Sequence, residues 1–232
     1  MSTEVLTGVL LIALPLAYNG LYTVLARSFE YPDILRRPSS EVLLAFGSGG
    51  NSLVLTWWAF AMSAVLLAPT AVLVSATFSD ANATLLTLAT VVGVLAALVQ
   101  FLGLIRWPLA VPHLAREMAD PAASAAKTEA IDVVFQTLNR YLGVAVGEHL
   151  GYLFTGAWTA LVGAALLQSE VVHAAFGLVA LGLAPLFLLG SMEFVGANER
   201  EGWKFAGTVV PFAYIGWSLW LLALGITLLV VA

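Results

Sequence analysis

The sequence predicts an all-α polytopic integral membrane protein: six transmembrane helices in one bundle, with both termini outside. Three observations predict it. Of 232 residues, 61% are apolar and only 10% are charged, against about 25% charged in a soluble domain. Six apolar runs are each long enough to cross a hydrocarbon core ~30 Å thick, which takes about 20 helical residues. All nine Lys and Arg fall in one alternating set of gaps between those runs. Arg27, Arg36 and Arg37 follow the first run. Arg106, Arg116, Lys127 and Arg140 follow the third, and Arg200 and Lys204 the fifth. Basic loops are retained on the cytoplasmic side, so the pattern predicts orientation as well as class.

The first span, about 5–26, has no basic residue before it, which argues against a cleaved signal peptide. The loop after it, rich in Pro and Gly from Pro32 to Gly50, is too interrupted for one long helix. The second and third spans, about 52–78 and 83–105, are joined by the short turn Ser79–Asn82, which makes them antiparallel neighbours. Pro108, Pro112 and Pro121 should break the third helix near Arg106. From about 125 to 140 the pattern is that of a surface-lying amphipathic helix. Ile131, Val134, Phe135, Leu138 and Leu142 form its apolar face. The remaining spans are about 141–167, 174–197 and 206–231, with another short turn at Ser169–His173. No stretch is left over for a separate soluble domain, so residues 1–232 read as a single transmembrane domain.

Two packing features stand out. The fourth span carries small residues at every fourth position: Gly143, Gly147, Gly151, Thr155, Thr159 and Gly163. In lipid such a stripe lets another helix approach closely. It faces either a span of the same chain or a second protein, in a homo-oligomer or a larger membrane complex. Pro15-Leu-Ala-Tyr18-Asn-Gly20 in the first span also matches Pro211-Phe-Ala-Tyr214-Ile-Gly216 in the last. The match reads as an inverted repeat or as coincidence in Ala- and Gly-rich helices.

Polar side chains inside spans need partners or a function. Counted from the nearest basic residue, Asn19, Gln100, Glu148, His149 and Glu193 all lie six to nine residues inward, roughly 9–14 Å at ~1.5 Å per residue. Tyr152 and Tyr214 fall at comparable depths. With Arg106, the expected partner of Glu148, these residues form one polar layer in the cytoplasmic leaflet. It is either structural glue or a site for a ligand or ion. No catalytic motif is present. His113 and His149 are weak metal or haem ligand candidates, because no spaced metal motif accompanies them. The absence of cysteine excludes thiolate chemistry. The cations are spread over separate short loops, which suits lipid headgroups and not nucleic acid.

Four segments together carry a resemblance: Gly103-Leu-Ile-Arg106-Trp107-Pro-Leu-Ala-Val-Pro112-His-Leu-Ala115, Gly143-Val-Ala-Val-Gly147-Glu148-His149-Leu-Gly-Tyr152, Glu193-Phe-Val-Gly196 and Trp217-Ser-Leu-Trp220. They resemble the bacterial multi-pass membrane proteins of domain-of-unknown-function family 4386. The resemblance is best from about residue 100 onward, and the first span and its Pro-rich loop fit poorly. It implies a prokaryotic inner-membrane protein and lends no activity, cofactor or catalytic residue. Three readings follow. The first is a non-enzymatic accessory or small-ligand-binding membrane subunit. The second is a transporter or channel using the polar layer, and the third an intramembrane haem or metal protein.

Overall fold

Long apolar runs become helices because nothing else satisfies backbone groups in lipid. The computed structural model, which describes residues 2–232, is helical throughout, with no strand among the described residues. Helix α1 spans Thr3–Phe29, capped by the Ser2 hydroxyl, which accepts from the Val5 N–H at 3.3 Å. A single turn at Asp33–Arg36 leads to the short α2, Ser39–Ser48. The next column is two helices end to end, α3 (Gly50–Val65) and α4 (Leu67–Thr77). The joint at Leu66 has a local cause: Pro69 has no N–H to return to the Val65 carbonyl. Helix α5 spans Ala83–Leu109, and α6 spans Val111–Met118. The break expected near Arg106 therefore lies four residues later, at Ala110. Pro112 falls in the first turn of α6, where a missing N–H costs nothing.

Four helical columns are long and apolar enough to cross a membrane: Thr3–Phe29, Gly50–Thr77, Ala83–Met118 and Lys204–Val231. The chain is thus an all-helical, multi-pass membrane protein. Two further columns complete the molecule. Helix α7 (Ala125–Leu138) runs without interruption through a π-helical segment, Asn139–Leu150, into α8 (Gly151–Leu166). Helix α9 spans Ala175–Ser191 and α10 spans Lys204–Val231. On α7 only Ile131 and Phe135 are buried, whereas Val134 is exposed. The inward face is therefore narrower than the sequence pattern implies.

The columns pack as a closed ring in chain order. Helix α1 contacts α3 and α4, these contact α5, and α5 contacts the π segment and α8. Helix α8 contacts α9, α9 contacts α10, and α10 returns to α1. The small-residue stripe lies inside this ring. Gly147 and Gly103 meet so closely that a Cβ on Gly103 would stand 2.6 Å from the Gly147 Cα. Gly163 meets Gly177 and Ala180 of α9. The stripe is thus covered by helices of the same chain.

Two apolar clusters fill the interior. One, around Trp158, Phe187, Trp217 and Trp220, occupies the end away from the basic loops. The other sits at the basic end between α1, α3, α5 and the loop helices, where Trp57 and Trp107 stack at 4.5 Å against Phe29 and Phe46. The rest of the basic end is not filled.

Candidate functional site: a tyrosine-walled cavity at the basic end

A cavity of about 1050 Å³ opens between α1, the π segment, the end of α9 and α10. Its walls come from every part of the ring that the aromatic cluster leaves open. Helix α1 contributes Tyr18 and Asn19, and α5 contributes Arg106. The π segment contributes Gly143, Val144 and Glu148, and α8 contributes Tyr152. Glu193 stands just past α9, and Gly207, Val210 and Tyr214 belong to α10. Arg36, Arg37, Arg140 and Arg200 line the mouth.

The paired sequence motifs meet here. Tyr18 and Tyr214 stack at 6.1 Å with rings 10° apart, and Tyr152 stands edge-on to Tyr214 at 5.8 Å. Beside them the Asn19 amide donates to the Pro15 carbonyl (2.7 Å) and to the Ser218 hydroxyl (3.0 Å), tying α1 to α10. The three tyrosines make a continuous aromatic wall. None of their hydroxyls is bonded to another protein group among the described residues.

The polar layer predicted from depth separates into two sets. Asn19, Arg106, Glu148, Tyr152, Glu193 and Tyr214 line the cavity. Gln100 does not: its amide donates to Thr155 Oγ1 at 3.2 Å. Thr159, one turn further along α8, accepts from the Trp217 indole N–H at 3.0 Å, and the two bonds close the cavity floor. His149 also turns away, its Nδ1 bonded to the Ser191 carbonyl at 2.6 Å. It lines a smaller pocket of about 200 Å³ that shares Glu148, Tyr152 and Glu193 with the main cavity.

The expected Arg106–Glu148 pair does not form. Arg106 is buried, and its guanidinium bonds instead to the Gly103 carbonyl and to Asn139 Oδ1 (3.2 Å). The reason is local. Residue 143 of the π segment is glycine, so the guanidinium packs close against backbone; a Cβ there would stand 2.7 Å from Nη2. Glu148 is left with no hydrogen bond or ion pair among the described residues. Glu193 has none through its carboxylate either, and it lies against the backbone of Gly207, where an added Cβ would stand 2.9 Å from its Cδ. Gly207 and Val144 are site residues that polarity in the sequence does not reveal. A glycine one turn before Pro211 was the available signal for the first.

The mouth is a different environment. Arg37 pairs with Glu30, Arg36 with Asp33 at 3.4 Å, and Arg140 with Glu199. Burial, and the Glu148 charge after it, push the Tyr31 hydroxyl upward, so it stays protonated at the rim. His113 lies exposed on α6. No group of three His, Asp or Glu able to hold a metal ion occurs among the described residues.

A closed ring of apolar helices around a half-filled interior defines a multi-pass helical membrane protein with an internal cavity. The chain belongs to the family described as Domain of unknown function (DUF4386), whose model matches residues 6–225. The match takes in the first helix and the Pro-rich loop as well as the later segments. No curated protein and no solved structure matches the chain.

Proposed function

We propose that the chain is a non-enzymatic, small-ligand-binding membrane subunit of the prokaryotic cytoplasmic membrane. In this reading it forms a single domain that crosses the bilayer six times with both termini outside, and its cavity opens to the cytoplasm. The fourth crossing is the π segment with α8. The fifth is α9, whose 17 residues span about 26 Å, slightly short of the ~30 Å core and within what local thinning accommodates. The observation that carries the binding reading is the unpartnered Glu148 carboxyl facing an open cavity beside three unpartnered tyrosine hydroxyls. Structural glue would have bonded these groups to one another, as it does Gln100, Thr155, Thr159 and Trp217.

The native chain has no cysteine, so Val144→Cys tests the opening directly. A membrane-impermeant maleimide should label it in inside-out vesicles and leave it unlabelled in intact cells. Protection from both sides would overturn the proposal. Labelling from both sides would favour the transport reading instead, since it requires the floor at Thr155–Trp217 to open.

A further inference from the structure

We infer that the cavity binds an organic cation, an ammonium head held between the Glu148 and Glu193 carboxylates and the faces of Tyr18, Tyr152 and Tyr214. The inference rests on the ligand-binding reading above and adds the chemical class. The way the charges are paired supports it. At the mouth, three arginines already have acidic partners: Arg36 with Asp33, Arg37 with Glu30 and Arg140 with Glu199. They place little net demand on an incoming anion. With those three pairs set aside, the lining carries Arg106 and Arg200 against Glu148 and Glu193. Arg106 is held by the Gly103 carbonyl and Asn139, while neither acid has a hydrogen-bond or ion-pair partner among the described residues. An ammonium ion supplies either acid with the partner that the protein does not.

The aromatic wall supports the same class. Ring faces attract cations when the centroid comes within about 6 Å, and desolvated sites of this kind recognise ammonium heads. Tyr18, Tyr152 and Tyr214 all line the cavity, with Tyr18 and Tyr214 stacked on each other at 6.1 Å and Tyr152 edge-on to Tyr214, so the stacked pair offers a ligand only its outer faces and ring edges. An anion would meet those same faces, and two carboxylates, unfavourably. A neutral apolar ligand would displace water from both carboxylates and give them no partner in return. The head could arrive on a free solute or on a lipid; the chemistry is shared.

The test uses the full-length protein purified in detergent, with choline, tetraethylammonium and benzylammonium as probes. Dimethylbutanol, the neutral isostere of choline, is the control, and calorimetry the measurement. At least one cation should bind saturably, and dimethylbutanol should bind about tenfold or more weakly. Glu148→Gln should weaken the cation about tenfold or more while leaving the isostere unchanged. Tyr214→Phe should keep binding and Tyr214→Leu lose it, each with an unfolding temperature matching the parent. Nanodiscs distinguish the source: competition by phosphatidylcholine but not phosphatidylglycerol identifies a lipid head, and equal binding in both a free solute. Equal affinity for choline and its isostere, or full cation binding by Glu148→Gln, overturns the inference. If no cation binds while Val144→Cys labels from the cytoplasmic side, the cation inference falls and the cavity reading stands.

Discussion

At the residue scale, one tight constraint lies away from the cavity. Gly93 of α5 faces Ala71 of α4 and the fully buried Trp158. An added Cβ would stand 2.5 Å from the Ala71 Cβ and 2.6 Å from the indole Cδ1. The first atom is fixed to a helix backbone, and the second belongs to an indole packed against Trp217 and Trp220. Neither can withdraw cheaply. Gly93→Ala should therefore destabilise the protein by about 1–3 kcal/mol, the usual range for overpacking. Gly20, also within a helix, has no atom within reach of its added Cβ, so Gly20→Ala should be neutral or slightly stabilising. Thermal unfolding in detergent checks both, and equal unfolding temperatures for the two variants would contradict the argument. Polarity and small size are visible in a sequence, but azimuth is not. Counting from the basic residues found the depth of Gln100 and Glu148. It could not tell that one bonds Thr155 while the other faces open space.

At the scale of elements, the turns opposite the basic end are tied together by one carboxylate. Asp80, between α4 and α5, accepts from the Ser169 hydroxyl at 2.8 Å and from the Glu170 N–H at 2.9 Å, in the loop between α8 and α9. These bonds, chiefly the Glu170 N–H, hold the Asp80 carboxyl below the ordinary aspartate value. The unfolded chain therefore takes up that proton more readily than the folded one. The stabilisation is complete above the ordinary value and disappears as pH falls through the lowered one. Asp80→Ala should lower the unfolding temperature slightly at about pH 7, and the gap should narrow as pH falls through the lowered value. A gap that does not narrow in acid would show that the contact does not depend on the carboxylate charge. The π segment is the element least legible from sequence. Hydrogen bonding from i to i+5 has no residue signature of its own. Gly143 and Gly147 read equally well as an α-helical small-residue stripe, and the pairing of Arg106 with Glu148 rests on the place of Arg106 at the end of the third span, not on the geometry of the segment.

At the scale of the whole molecule, the long apolar helices were legible because lipid demands a minimum length of unbroken hydrophobicity. Their order around the ring was not. Each helix is apolar on nearly every side, so no amphipathic stripe marks the face that meets a neighbour. The short turns at Ser79–Asn82 and Ser169–His173 identified two adjacencies, and α1 against α10 came only from the structure. Sidedness is open to direct measurement. Ser79→Cys should react with an impermeant thiol reagent in intact cells, and Lys127→Cys only after permeabilisation. The reverse pattern would sink the proposed orientation.

The ring in chain order also fixes a sequence of events during synthesis. Each helix leaving the ribosome finds its predecessor already in place, so most of the bundle assembles by local docking. The cavity is the exception. Its aromatic wall is shared between Tyr18, near the start of the chain, and Tyr214, near the end, and Glu193 settles against a glycine that emerges only with α10. Until that final helix is in place, the wall beside Glu148 lacks Tyr214, and the arrival of α10 completes the chamber.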